Sequence, residues 1–111
     1  MDTNRDMLRG FIKVHILFHA SQEPVYGLGL IEELARHGYH LSPGTLYPIL
    51  HSMEKDSYLS SYEEVVNGKV RRYHRATSLG QETLRDAQAK IKELVTEVLG
   101  VESGKDSEGH E

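Results

Sequence analysis

Four cations near residue 70 are the side chains in this chain most able to bind phosphate. Lys69, Arg71, Arg72 and Arg75 fall within NGKVRRYHRAT, residues 67–77, which contain no acid. A phosphate responds mainly to charge within a Debye length, about 8–10 Å at physiological ionic strength. This segment therefore favours a nucleic-acid partner, although the whole chain has a formal net charge of −4. An ordinary solvated strand remains the alternative, although four cations without an acid are uncommon in such a strand.

A second suggestive stretch, LSPGTLYPILHSMEK at residues 41–55, predicts a helix with an unusual front end. Ser42 is a suitable N-cap and Pro43 a suitable first helical residue. Pro48 lacks the N–H that would bond back to Gly44. We therefore expect either a kink at Pro48 or a helix that becomes regular only near Thr45. Either arrangement leaves amide groups at the front of the helix free for a phosphate.

The same front end carries three side chains that can form hydrogen bonds with DNA. Ser42, Thr45 and Tyr47 all have hydroxyl groups, and Gly44 permits close approach of another backbone. Two alternatives stay open here: Thr45 as a local cap, and Tyr47 packed beneath the helix.

Seven histidines raise the question of a metal site. His15 and His19 are four residues apart, so that both could reach one ion on a helix. His37 and His40 lie on another predicted element, and neither an HExxH motif nor a cysteine accompanies them. A position at the rim of a subunit interface explains the pair equally well. We predict no metal site and no cofactor.

Other sequence features argue against an enzyme or a membrane protein. We find no glycine-rich phosphate loop, no nucleophile motif and no carboxylate pair suited to catalysis. No apolar run approaches the roughly 18 residues of a membrane span. No signal peptide is visible at the start, and there are no cysteines for disulfides. We expect a cytoplasmic protein that is not an enzyme.

The elements that must position these groups follow from periodicity and turn residues. Helices are predicted over residues 2–20, 26–37, 42–55 and 78–100, with Gly38 ending the second. Asn67-Gly68 between two β-prone runs, residues 58–66 and 70–77, predicts a hairpin. The expected fold is mainly α with a small β-hairpin. Two helices joined by a short link and followed by a basic hairpin describe a winged helix-turn-helix, in which the second helix of the pair meets DNA.

The last helix carries an apolar seam that predicts a homodimer. Apolar residues step by three and four, the spacing of a coiled coil, at Leu84, Ala87, Ile91, Leu94 and Val98. The first helix is apolar on more than one side, and Phe11 belongs to its second apolar row. A short chain also has little core of its own. An intramolecular role for the seam remains the alternative.

The segment YGLGLIEELARHGYHLSPGTLYPILHSMEKDSYL closely resembles the PadR family of transcriptional regulators, as does the run RRYHRATSLG. The resemblance covers about residues 8–80. It implies a homodimeric DNA-binding repressor, often of efflux, detoxification or stress genes. The matching recognition-helix positions are Ser42, Thr45 and Tyr47, and the matching wing positions are Lys69, Arg71 and Arg72. The chain departs from the family at Ser57, where glycine is usual, and at Ala76, where leucine is usual.

The residue patterns and the resemblance together predict an organisation of the chain and leave one alternative function. We expect a DNA-binding domain with its N-terminal helix over residues 1–80, a C-terminal dimerisation helix over 81–100, and a disordered acidic tail over 101–111. The partners expected are double-stranded DNA and a second copy, with a small-molecule inducer at the dimer interface left open. The alternative function is a winged-helix protein-interaction module without specific DNA binding. The operator and the regulated genes are not predicted.

Overall fold

The computed structural model of the chain describes residues 3–102. Within that range lie α1 (Thr3–Gln22), β1 (Val25–Tyr26), α2 (Gly27–Arg36), α3 (Pro43–Lys55), β2 (Leu59–Val66), β3 (Lys69–Ala76), α4 (Ser78–Leu94) and a π-helical segment (Val95–Leu99). The winged helix-turn-helix order predicted from the sequence is therefore confirmed. The predicted acidic tail lies largely outside the described residues, because only positions 101 and 102 of it are described.

The core forms where the apolar stripes of the helices meet one face of the sheet. Its members are buried residues of every helix and both long strands: Ile12, Ile16, Leu17, Ala20, Leu30, Leu34, Leu46, Ile49, Leu50, Met53, Leu59, Ala76 and Leu84. Fully burying one such aliphatic side chain contributes roughly 1.5–3 kcal/mol. This core holds α2 and α3 against the wing formed by β2 and β3.

The sheet has three strands rather than the predicted two. Its order is β1-β3-β2, and both pairings are antiparallel. The second helix was predicted to begin at about Tyr26; Tyr26 is its N-cap and also the last residue of β1, where it pairs with Tyr73. A strand of two residues is too short to show the alternation by which strands are recognised. It forms because the edge of β3 offers backbone partners.

The hairpin turn has the conformation that Asn-Gly predicts. Asn67 and Gly68 have φ angles of 53° and 78°, as a type I′ turn requires. Val66 and Lys69 pair directly across the turn. The second wing strand therefore begins at Lys69, one residue earlier than predicted.

The left-handed residue after α3 explains why glycine would suit position 57. Ser57 has a φ angle of 69°, a conformation that costs a residue with a Cβ about 1 kcal/mol or more. The amide of Ser57 donates to Glu54 O at 2.9 Å, and that of Tyr58 donates to Met53 O at 2.9 Å. Gly38 follows α2 in the same conformation, at a φ of 91°, as predicted.

Helix α3 begins at Pro43 and continues through Pro48 to Lys55. The carbonyl oxygen of Ser42 accepts from the amides of Thr45 and Leu46, each at 3.0 Å. Of the two alternatives predicted for this helix, the one in which it becomes regular only near Thr45 is therefore wrong. Because Pro48 has no N–H, the helix lacks the bond that would return to Gly44. Packing of the buried face on the core outweighs that loss.

Helix α4 is anchored at its start by a cap and a close backbone contact. The hydroxyl of Thr77 accepts from the amide of Gly80 at 3.0 Å. Gly80 also lies against the carbonyl of Tyr58, and a Cβ at this position would overlap that oxygen. The helix then runs into the π-helical segment and ends at Gly100, whose φ is 70°. The predicted extent of residues 78–100 is confirmed.

Candidate nucleic-acid interface

The face of α3 opposite the core presents a row of polar side chains. Tyr47, His51 and Lys55 follow one another at intervals of four residues and are all exposed. They alternate with the buried residues of the helix, Leu46, Ile49, Leu50 and Met53. The amphipathic pattern of α3 thus aims this polar row away from the protein.

The polar row forms one wall of a groove, and the wing forms the other. We call this the α3–wing groove; the N-terminal end of α2 also contributes to it. Of the residues predicted to bind DNA, those that line it are Tyr47, Lys69, Arg71 and Arg72. The groove is walled by four cations and one carboxylate, Glu54. An open groove with this charge favours a polyanion.

Ser42 and Thr45 do not line the groove but lie at the front of α3, where both are exposed. Ser42 occupies the N-cap position, yet its side chain accepts no backbone N–H of the helix. Instead its hydroxyl donates to the hydroxyl of Thr45 at 3.4 Å. Gly44 between them has only Ser42 Oγ near its missing side chain, at 3.8 Å. The front of α3 can therefore be approached closely.

The ring of Tyr47 is positioned by a glycine of α2. Tyr47 is 51% exposed, so it does not pack beneath the helix. Its ring lies against Gly27, and a Cβ at position 27 would be 2.7 Å from Tyr47 Oη. The absence of a side chain at Gly27 therefore determines where the tyrosine hydroxyl points.

Replacing Gly27 with alanine should weaken DNA binding without a matching loss of stability. Alanine normally favours a helix over glycine by roughly 0.5–1 kcal/mol, but here its methyl group displaces the Tyr47 ring. We expect the affinity for duplex DNA to fall several-fold, within the roughly 1–3 kcal/mol by which the loss of a contact to a base weakens binding. Fluorescence anisotropy with labelled duplex measures it, and thermal melting monitors the fold.

Gly10→Ala is the matched control for this substitution. Gly10 is exposed in α1, and nothing lies within 4 Å of the position that its Cβ would take. Its affinity for the operator should equal that of the wild type. Unchanged affinity in the Gly27 variant would show that the observed position of Tyr47 does not matter for binding.

Arg71 is held on the outer face of the sheet by aromatic rings. Its guanidinium carbon lies 4.0 Å from the centroid of the Tyr26 ring, within the range of a cation–π interaction. It also donates to the hydroxyl of Tyr73 at 3.4 Å. Both contacts leave the guanidinium positively charged, so a phosphate can still bind it.

Arg72 points to the other side of β3 and is already paired with an acid. Its guanidinium donates to Glu63 Oε2 and to the hydroxyl of Ser61, each at 2.8 Å. The two partners of the ion pair are each about half exposed, at 52% and 54%, so the pair is weak. A phosphate must compete with Glu63 for Arg72, whereas it meets no acid bound to Arg71.

Beneath Arg72 a small polar network joins the wing to α3. The hydroxyl of Ser61 donates to Glu54 Oε2 at 2.7 Å, and Glu54 Oε1 is 3.8 Å from Nε2 of the buried His74. Burial lowers the pKa of His74 below its ordinary value, and Glu54 partly opposes this. The carboxylate in the groove is therefore directed at Ser61 and His74 of the protein itself, and its single negative charge stands against four cations.

Sequence reasoning missed several residues of this surface, among them His51, Lys55 and Tyr26. His51 and Lys55 line the groove with Tyr47, and their spacing of four from it was the signal that could have identified them. Tyr26 also lines the groove, but its position depends on β1, for which the sequence carries no pattern.

The predicted dimer residues divide into two groups. Leu84 is buried in the core of its own chain and Ala87 is half buried. The other four leave much apolar surface exposed: Phe11 45%, Ile91 42%, Leu94 49% and Val98 66%. The first part of the seam thus packs within the chain, whereas Ile91, Leu94 and Val98 are only partly covered by the described residues.

Comparison with known proteins agrees with this architecture. The family model described as the transcriptional regulator PadR-like family matches residues 16–86. The transcriptional regulator Rv3488 of Mycobacterium tuberculosis is 46% identical over 99 residues, which are 89% of this chain and 92% of that protein. The residues matched by the family model include both α3 and the wing.

Solved structures show the same fold. A PadR-like transcriptional regulator from Bacillus cereus superposes with a TM-score of 0.78 at 32% identity, covering 86% of this chain and 94% of that one. A PadR family regulator from Eggerthella lenta superposes with a TM-score of 0.73 at 30% identity, covering 86% of this chain and 83% of that one.

Across residues 3–102, none of the helices combines the length and the apolar character needed to cross a membrane.

Proposed function

The chain belongs to the PadR-like family of transcriptional regulators, and we propose that it binds an inverted-repeat operator in duplex DNA as a homodimeric repressor. The observation that carries the proposal is the α3–wing groove, in which Tyr47 faces the cations Lys69, Arg71 and Arg72. In this proposal the chain is not an enzyme and works in the cytoplasm.

The two walls of the groove have different tasks in this proposal. The front of α3 enters the major groove, where the hydroxyls of Ser42, Thr45 and Tyr47 meet base edges or adjacent phosphates. The wing cations contact the phosphate backbone, which positions the protein without reading sequence. Arg71, stacked on Tyr26, can bind a phosphate more readily than Arg72, because Arg72 must first break its ion pair with Glu63.

The dimer rests on the apolar surface that a single chain leaves exposed. Phe11 on α1 and Ile91, Leu94 and Val98 on or beyond α4 are all more than 40% exposed. Within one chain α1 packs on α4, so these residues can form one continuous surface for a second copy. Two-fold pairing would place two α3 helices about 34 Å apart, one turn of duplex, which requires an inverted repeat.

Repression, and a small-molecule inducer between the subunits, are proposed on the family resemblance alone. An inducer would bind where the two α4 helices meet, and by linkage it must bind the free and DNA-bound dimers with different affinities.

A salt titration tests the DNA-binding proposal. Each phosphate contact contributes about −0.9 to the slope of log K against log salt. Three wing cations in each subunit predict a slope near −5 and a loss of roughly a thousandfold in affinity between 50 and 200 mM salt. Fluorescence anisotropy measures it on the inverted repeat that the purified protein selects from a random duplex pool.

The Lys69→Ala variant makes the salt titration a more specific test, because it removes one proposed phosphate contact. Removing one phosphate contact per subunit should make the slope less steep by about 2 for the dimer. Failure to select any repeat, together with a slope near zero, would contradict DNA binding. That result would favour the alternative of a protein-interaction module.

A further inference from the structure

Three histidines and a glutamate from two helices converge on one side of the molecule. His15 and His19 lie one turn apart on α1, and Glu33 and His37 lie one turn apart on and just after the end of α2. Ring nitrogens of the three histidines lie within 4.8 Å of one another. Glu33 Oε2 is 3.0 Å from His37 Nε2 and 3.4 Å from His19 Nε2. We call this group the α1–α2 histidine cluster.

We propose that the α1–α2 histidine cluster binds one divalent transition-metal ion of the Zn²⁺ type, through His15, His19, His37 and Glu33. Imidazole nitrogen and carboxylate oxygen are ligands that zinc takes in proteins, most often four of them in a tetrahedron. Ligand distances of about 2.0–2.2 Å place neighbouring ligand atoms roughly 3.3–3.5 Å apart. From the limit of 4.8 Å, the histidine nitrogens need to approach one another by at most about 1.4 Å to reach that spacing, which side-chain rotation can supply.

The surroundings of the cluster suit a metal site. Arg36 donates to Glu33 Oε1, which leaves Oε2 directed at the histidines. Orientation of a ligand by a neighbouring hydrogen bond is common around protein-bound metals. His15 and His19 are half buried while His37 is exposed, so an ion can enter from solvent.

Ring stacking accounts for part of this arrangement. The rings of His15 and His37 stack at a centroid distance of 4.7 Å with 26° between their planes. Grouping three imidazoles is unfavourable once they are protonated, because they repel one another. A neutral imidazole is the form that binds metal.

The sequence prediction of no metal site depended on treating His37 as part of a separate element. Packing of α2 on α1 brings it to the His15 and His19 pair and adds Glu33, which the sequence did not single out. A bound ion would tie α1 to α2, the helix that precedes α3. The inference goes beyond the proposed function and does not depend on it.

Isothermal titration of the full chain with Zn²⁺, after chelator treatment, tests the site. We expect one ion per chain and a higher melting temperature with zinc present, since a ligand that binds only the folded state stabilises it. Co²⁺ should give the visible absorption of a tetrahedral site. His37→Ala should lower zinc affinity about tenfold or more, and His15→Ala combined with His37→Ala should abolish binding at the site.

His40→Ala is the matched control, since His40 is exposed and outside the cluster; it should bind zinc like the wild type. Because His37 is exposed, its alanine variant should fold even if a His15 variant does not. No stoichiometric binding of Zn²⁺ or Co²⁺, or binding that survives His37→Ala unchanged, would overturn the proposal. DNA binding measured in chelator is independent of it, so failure of the metal site leaves the proposed function standing.

Discussion

Replacing Ile91 with aspartate is expected to split the dimer while each chain stays folded. Ile91 is 42% exposed in the single chain, so the substitution leaves the core intact. In the proposed dimer it places an unpaired carboxylate from each subunit into an apolar interface. We expect a cost of roughly 3 kcal/mol or more, or at least about 100-fold in dimer affinity.

The loss of DNA affinity should be as large as the loss of dimer affinity. Ile91 is not among the residues that line the α3–wing groove, so this effect would act through the dimer alone. A monomer engages only one half of an inverted repeat, so operator affinity should fall by at least the same factor. Light scattering at micromolar concentration measures the mass, and anisotropy measures the affinity. Circular dichroism of the Ile91→Asp variant should show the same helix content as that of the wild type.

Ala89→Asp is the control for the dimer prediction. Ala89 is exposed, and it lies on the side of α4 away from Ile91 because the two residues are two positions apart in a helix. The aspartate therefore adds the same charge to the same helix outside the seam. It should remain a dimer and bind DNA normally. A wild-type mass near 12.6 kDa would show a monomer and remove the basis of the paired-site model. Equal effects of both substitutions would show that the charge, rather than the seam, matters.

Tyr47→Ala should reduce operator affinity by about 5- to 150-fold, corresponding to roughly 1–3 kcal/mol for a contact to a base. The reduction should be much smaller on random duplex DNA, so the preference for the operator relaxes. Tyr47→Phe separates the hydroxyl from the ring, because it keeps the packing on Gly27 and removes only the hydrogen-bonding group. Anisotropy on operator and random duplexes measures both effects.

Arg72→Ala is the counterpart to the tyrosine variant, because a phosphate contact carries no sequence information. It should weaken operator and random DNA by similar factors and make the salt dependence less steep. If the arginine variant lost specificity, or if both variants bound the operator normally, the roles proposed for α3 and the wing would be wrong.

The local features of this fold could be predicted from the sequence because each depends on neighbouring residues. Asn67-Gly68 specifies a type I′ turn, since both residues adopt positive φ at little cost. Gly38 ends α2 for the same reason. Ser42 and Pro43 mark the start of α3, and the apolar period of each helix identifies its buried face. Element order and the cationic wing follow from these signals.

Other features were decided only when distant segments packed together. The two residues of β1 become a strand because β3 offers backbone partners. Packing on the core buries Leu84 and leaves Ile91 exposed, although both belong to one periodic seam. The position of Tyr47 depends on Gly27, twenty residues earlier in the chain.

The α1–α2 histidine cluster shows most clearly what tertiary structure adds. Along the chain, His15 and His19 form a pair with no visible partners, and Glu33 and His37 read as one charged helix end. Only the packing of α2 against α1 brings the four side chains to one place. Sequence periodicity reports which face of a helix is buried, but not which neighbour will cover it. The choice of neighbour is made by the packing of the whole chain.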